Sequence, residues 1–278
     1  MMRSILVALD ESPAAARAVD LALRWGARFD ASVRGIGVLA EDAVDPPEAV
    51  PIGGEAFRRE RAETDLEQME RDLDALIDSF GDRCRELGVR CETCRRRGDF
   101  AGELVAEARA HDVTILAREP TFGIDKGSPP ARRLTHLLEN SPRPVIVTSP
   151  EQTNGEGVLI ACDGSFQSAR AIGACIALGL QRLSPLELLC VDRDSREEAE
   201  RCAEPALRYL GSHGADAKLN AIITDDPIDE VILDRAREME AQLIVMGAYG
   251  RPRVLEFFLG SVTQRMIETS PIPLLLSH

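Results

Sequence analysis

The chain has 278 residues, of which 44% are apolar and only 4% aromatic, and it carries a formal charge of −14. That length suits two domains of ordinary size, and an aliphatic, alanine-rich composition suits helices packed on a sheet. The negative balance argues against non-specific binding to nucleic acid or to an anionic membrane. A small anionic ligand stays open, because fields from surface charges are screened over roughly 8–10 Å.

The chain opens on MMRSILVALDES, an apolar run too short for a secretory leader, and no later segment approaches a membrane span. Seven cysteines are an odd count without the density of a disulfide scaffold. Together these features point to a soluble protein of a reducing, cytoplasmic compartment.

The first predicted strand is Ser4–Leu9, ending at Asp10. Ser12 followed by Pro13 marks a helix start, and Ala15, Val19, Ala22 and Trp25 or Gly26 then fall on one helical face. A second strand follows at Val33–Leu39. After it comes an insertion of about two dozen residues relative to the second half, read as the loop-like DPPEAVPIGG and an extra turn or two on a longer helix. That helix sets Leu66, Met69, Leu73, Leu76, Ile77 and Phe80 on one face and a charge-rich solvated surface on the other.

The strand–helix–strand unit recurs. Gly157–Asp163 repeats the first strand, Ser165–Leu180 the first helix and Leu186–Asp192 the second strand; Asp10 and Asp163 are 153 residues apart, as are Val38 and Val191. Gly98–Leu116 parallels Asp225–Met246, and Leu137–Ser149 parallels Met266–Ser277 at an offset of 129. The expected fold class is therefore α/β, with two doubly wound, Rossmann-like domains at 1–150 and 156–278. Each is a five-stranded parallel sheet with helices on both faces, and PEQTNGE links them.

Within the second unit, the apolar run Leu243–Met246 feeds Gly247 and Gly250, then Gly260 and Ser261 before the helical VTQRMIET. Glycines let a ligand approach the backbone, and the first amides of a helix have no internal acceptor. A serine at such a point either caps the helix or bonds a phosphate oxygen. By itself the pattern reads equally as a turn with a cap. In doubly wound sheets, however, ligands sit beyond the carboxyl ends of the strands where strand order reverses. Asp163, Val191 and the glycine segment should meet at that edge.

On these residues both halves resemble universal stress protein domains in tandem, over essentially the whole chain. G-x2-G-x9-G-[S/T], here Gly247, Gly250, Gly260 and Ser261, is similar to the signature of the family's ATP-binding branch; VLIACDGS and SPIPLLL fit as well. The resemblance implies ATP or another adenine nucleotide, with Mg²⁺, in the C-terminal domain. By that match Asp163 and Val191 face the base, with Ala161 and Cys162 lining the pocket. Met246 and Gly247 lie near the ribose. Gly250, Gly260, Ser261 and Val262 address the phosphates, and Tyr249 flanks the ribose or covers the site. The resemblance also implies that last strands pair across a two-fold axis, here Val145–Ser149 with Leu274–Ser277 in an intrachain pseudo-dimer, with homodimerisation of the whole left open.

The first half departs from the motif. Ala117, Pro120, Ala131 and Arg132 stand in place of Gly247, Gly250, Gly260 and Ser261. Proline offers no N–H, and alanine is strained where glycine adopts positive φ. Asp10 and Val38 are then expected to cap a helix and fill the core, with Arg132 at a helix start filling the vacated phosphate position or holding another anion.

Cys91-x2-Cys94 falls on a strand, where positions three apart face opposite ways, so a zinc or thioredoxin-type motif is not expected. Cys162, Cys175 and Cys190 lie in apolar runs and read as small core residues; the four histidines show no ligand spacing. No catalytic base is evident, and Arg251 and Arg253 could only assist phosphoryl transfer. The expected function is a stress-response sensor or regulator that binds ATP and signals through a protein partner, with at most weak hydrolysis. The alternatives are a scaffold or chaperone-like protein with a vestigial site, or a slow ATPase.

Overall fold

A computed structural model describes residues 1–39, 55–120, 130–151, 155–248 and 260–278. In chain order the N-terminal half contains β1 (Ser4–Ala8), α1 (Pro13–Phe29), β2 (Ser32–Leu39), α2 (Glu55–Leu87), β3 (Cys91–Arg97), α3 (Phe100–Ala108), β4 (Val113–Ala117), α4 (Pro130–Asn140) and β5 (Val145–Thr148). The C-terminal half contains β6 (Gly157–Ala161), α5 (Phe166–Leu178), β7 (Leu186–Asp192), α6 (Arg196–Ser212), β8 (Lys218–Ile223), α7 (Ile228–Glu238), β9 (Ala241–Gly247), α8 (Ser261–Thr269) and β10 (Leu274–Ser277). The DPPEAVPIGG loop, Tyr249, Gly250, Arg251 and Arg253 lie outside the described residues.

Local chemistry starts the helices where the sequence places them. Ser12 caps α1, its Oγ accepting the Ala15 N–H at 3.1 Å, with Pro13 at the first helical position. Ser165 caps α5 in the same way through the Ser168 N–H at 3.1 Å. The α1 face anticipated from periodicity is buried from Ala15 through Gly26. In α2, Leu73 and Phe80 pack against β2 at Gly37 and Gly35, while most of the charged residues between them remain exposed.

Each half forms a parallel sheet, and the two are joined into one ten-stranded sheet of order β3-β2-β1-β4-β5-β10-β9-β6-β7-β8. The seam is antiparallel, with Leu274 opposite Val147, Leu275 opposite Ile146 and Leu276 opposite Val145. One core layer, which includes Trp25, Phe80, Leu178 and Leu210, covers one face across both halves; Ile146 and Leu275 belong to it. The other layer holds Leu104, Leu137, Ile232 and Met266 and takes in Val145, Val147, Leu274 and Leu276. Among the described residues no helix is long and apolar enough to cross a membrane.

The two halves share an ion pair of opposite polarity. Arg34 on β2 lies opposite Leu6, four residues before Asp10; Glu187 on β7 lies opposite Leu159, four residues before Asp163. Arg34 Nε meets Glu107 at 2.9 Å, and Glu187 meets Arg235 Nε and Nη2 at 2.6 Å each. Glu107 and Arg235 are each the eighth residue of their helix. Glu187 is 3% exposed. Burial opposes its charge, but hydrogen bonds from Arg235 and Asn220 outweigh that and hold its pKa below the ordinary carboxylate value.

Removing one partner of a fully buried pair costs about 3–5 kcal/mol; with part of the Arg235 side chain exposed, Arg235→Ala should cost about 2–3 kcal/mol in urea unfolding. The depressed Glu187 pKa sets the sign of the pH effect. Its contribution is present above the ordinary carboxylate pKa and is lost as pH falls through the depressed one. The gap between parent and variant should therefore narrow on acidification.

Candidate functional site

In both halves strand order reverses beside the first strand, since β1 lies between β2 and β4, and β6 between β7 and β9. At the carboxyl edge of the second half lies a cavity of about 220 Å³. Ala161, Cys162 and Asp163 reach it from the end of β6, Leu189 and Val191 from β7, and Met246 and Gly247 from the end of β9. Gly260, Ser261, Val262 and Thr263 reach it from the start of α8, and Ile228 and Ile232 from α7. The structure thus brings nine of the eleven anticipated residues to one cavity; Tyr249 and Gly250 lie outside the described residues.

The cavity has an apolar side and a polar end. Val191, Ile228, Ile232 and Met246 form the apolar side. The polar end is the first turn of α8. Its N-cap is Gly260, with no side-chain capping hydrogen bond, and the first internal bond of the helix is donated by Gln264 N to Gly260 O at 2.9 Å. The amides of Ser261, Val262 and Thr263 precede that bond and have no acceptor within the helix. Ser261 is the first helical residue rather than the cap, and it is exposed. Thr263 Oγ1 ties this turn to β9 by donating to Gly247 O at 3.4 Å.

Asp163 closes the turn between β6 and α5, its Oδ1 accepting the Ser165 N–H at 3.0 Å, and it remains exposed to the cavity. Cys162 behind it is buried. Its thiol is pushed below the ordinary cysteine value, chiefly by a hydrogen bond from Cys190 against the cost of burial, with help from the Gly164 N–H and the Ser168 hydroxyl.

Gly247 has a packing reason as well as a place at the cavity. A Cβ there would stand 2.6 Å from Gln167 C and 2.7 Å from Ser168 N, so the missing side chain lets α5 start directly against β9. In the first half Ala117 occupies the corresponding place and packs on Ala14 and Ala15, the counterparts of Gln167 and Ser168. Asp10 is buried, and its Oδ1 accepts the Ser12 N–H at 2.6 Å. It therefore sets the turn before α1 while Ser12 itself makes the cap, a correction to the expectation that Asp10 caps the helix. Val38 is core, as expected. Pro120 is buried, and Ala131 and Arg132 belong to α4 with side chains that are not among those described.

Leu189, Ile228, Ile232 and Thr263 were not anticipated. Ile228 and Ile232 are four apart on α7, a spacing that signals a shared face but not what the face covers.

Comparison with known proteins gives a consistent result. The family model described as "Universal stress protein family" matches residues 1–118 and 156–278. The chain is similar to universal stress protein YxiE of Bacillus subtilis, 26% identical over 43% of this chain and 96% of that one. It is also similar to universal stress protein Slr1230 of Synechocystis, 25% identical over 59% of this chain and 57% of that one. A universal stress protein structure from Archaeoglobus fulgidus shares the fold at 18% identity, with a TM-score of 0.65, over 99% of this chain and 97% of that chain.

The close approach at Gly247 can be tested apart from any ligand. Gly247→Ala should force α5 away from β9 and cost about 1–3 kcal/mol, the usual penalty for overpacking. Gly81→Ala, at a site in α2 where a Cβ meets nothing within 4 Å, should instead be neutral or stabilise by up to about 1 kcal/mol. Urea unfolding of both variants separates a packing role from a general preference for glycine.

Proposed function

The chain belongs to the universal stress protein family, and on that premise we propose that its C-terminal half binds ATP with Mg²⁺ and reports nucleotide occupancy to a protein partner. The observation that carries this reading is convergence. Residues from the ends of β6, β7 and β9 and from the start of α8, far apart in the chain, line one cavity with an apolar side and, at its end, helix amides that have no acceptor within the helix.

The chemistry of each part suits one part of an adenine nucleotide. Val191, with Ile228 and Ile232 beyond it, offers apolar surface to the base, and Asp163 offers a carboxylate acceptor for its exocyclic amine. Ala161 and Cys162 form the floor beneath. Met246 and Gly247 stand where the ribose would lie, and the family resemblance assigns Tyr249, outside the described residues, to flank or cover it. Gly250, Gly260, Ser261 and Val262 supply amides and a hydroxyl for the phosphates. The magnesium ion would neutralise phosphate charge that a chain of this acidity does not. Occupancy would fix the start of α8 and the surface around it, which is the part a partner protein would sense.

The N-terminal half is the degenerate member in this reading. Ala117 stands where the other half has Gly247 and packs on Ala14 and Ala15, and Pro120 has no amide to give. The domain limits, 1–150 and 156–278, follow the repeat, and β5–β10 pairing makes the pair of domains a pseudo-dimer within one chain.

Titration of the nucleotide-stripped protein with Mg-ATP by calorimetry should give one site per chain. Two sites would show that the N-terminal half also binds, and none, from folded protein, would favour the scaffold reading. Ser261→Ala removes a hydrogen bond to a charged oxygen, worth roughly 1.5–3 kcal/mol, so affinity should fall about ten- to a hundred-fold. Unchanged affinity in that variant would place the nucleotide elsewhere.

A further inference from the structure

Three cysteines of the C-terminal half converge although they lie far apart in sequence. Cys162 follows β6, Cys190 lies within β7 and Cys202 on α6, and their sulfur atoms all lie within 4.8 Å of one another. Cys162 and Cys190 are buried and Cys202 is partly so. Cys162, Cys175 and Cys190 all belong to the buried core, as their apolar surroundings in the sequence imply; Cys162 and Cys190 in addition meet Cys202, whereas burial alone pushes the Cys175 thiol up, to about 12.

The surroundings are shaped around these sulfurs. Gly164 has φ +71, and a Cβ there would stand 2.8 Å from Cys202 Sγ, so the turn after β6 leaves room for the thiol. Ser168 Oγ lies 3.8 Å from Cys162 Sγ. A cavity of about 220 Å³ on the α5–α6 side is lined by Cys162, Cys202, Pro205 and Tyr209, which gives a solute a path to two of the three sulfurs.

We propose that Cys162, Cys190 and Cys202 form a three-thiol site for a soft, three-coordinate thiophilic centre, of which trivalent arsenic is the charge-matched case. The donor set decides the class. Sulfur donors select soft ions, while carboxylate and carbonyl oxygens select hard ones. A structural zinc site takes four ligands, and among the described residues the group holds three, all sulfur. With bonds to sulfur of about 2.3 Å and the pyramidal angles a lone pair imposes, sulfurs sharing one arsenic stand about 3.5 Å apart, so the sulfurs, all within 4.8 Å of one another, must draw together by about 1 Å at most. Charge narrows the choice further, because a buried net charge is costly. Arsenous acid, As(OH)₃, and three thiols give As(SR)₃ and three waters. Three As–O and three S–H bonds break, three As–S bonds and three O–H bonds form, no electrons move, and the product is neutral.

The test uses the full chain, fully reduced and free of nucleotide, with arsenite as the probe. Intact-mass and elemental analysis should show one arsenic per chain, and three thiols should become resistant to alkylation, mapping to Cys162, Cys190 and Cys202. Cys202→Ser, with its fold verified by circular dichroism, should weaken uptake at least tenfold. The double variant Cys84→Ala/Cys91→Ala, which removes the interacting thiol pair of the N-terminal half, should retain it. No uptake, protection of a different set of cysteines, or uptake unchanged in Cys202→Ser would overturn the proposal. So would recovery of Cys162 and Cys202 as a disulfide that excludes arsenite. Because none of these readouts involves nucleotide, failure here is distinguishable from failure of the ATP reading.

Discussion

The antiparallel pairing of β5 with β10 is the constraint on which the rest of the architecture depends. Either strand alone would end a parallel sheet with a row of unpaired amides and carbonyls flanked by buried aliphatic side chains, the kind of edge that recruits other chains. Joined, Val145–Val147 and Leu274–Leu276 become the middle of a ten-stranded sheet, and both core layers run across the seam. Contacts beyond the ladder reinforce it. Ser149 Oγ donates to Pro271 O at 2.7 Å, and Arg118 Nη1 reaches Ser270 O at 3.3 Å. Arg118 therefore sits at the carboxyl end of α8, where a cation is favoured by the helix dipole, while the amino end of the same helix forms the polar end of the cavity. The N-terminal half thus anchors the element on which the C-terminal site is built.

Comparison of the halves separates what the fold demands from what the site demands. The link between the second strand and the third helix persists as an ion pair, but its polarity is reversed, Arg34 to Glu107 in one half and Glu187 to Arg235 in the other. The fold needs a compensated pair there and is indifferent to its direction. At the carboxyl edge the substitutions are not of that compensated kind. Gly247 against Ala117 changes how near the first helix can come to the fourth strand of its half, since the clash a methyl would make is with the backbone of that helix.

Much of this was legible in the sequence because it is local or periodic. Repeated strands, serine caps and the face of α1 each follow from a few adjacent residues, and the repeat supplied the sheet class without an alignment. The cavity was legible where strand ends and a helix start announce themselves, which covers Asp163, Val191, Gly247 and Ser261. Its other side was not. Ile228 and Ile232 look like any buried pair on an amphipathic helix, and only the packing of α7 on the sheet turns them toward the cavity. The thiol cluster was hidden for the same reason. Cys162 and Cys190 sit in apolar runs that read as core, and Cys202 lies in a charged helix 40 residues from Cys162. Ser261 shows a finer limit, since a one-residue shift at the helix start makes Gly260 the cap and leaves the hydroxyl unused by the helix.

The acidity of the chain is compatible with the anion-binding role proposed for the cavity, because the two act over different distances. The charge of −14 is spread over a surface from which its field decays within a Debye length of about 8–10 Å. The α8 amides act at hydrogen-bond range, beside the apolar side of the cavity, where a lower local dielectric strengthens them. A lysine would add attraction but also a long flexible chain to order, whereas the amides are fixed in place by Thr263 on Gly247 and by Arg118 at the far end of the helix. Rigid partial charges on a short helix clamped between the two halves would therefore serve the proposed phosphate site without a basic side chain, provided that the clamp holds both ends.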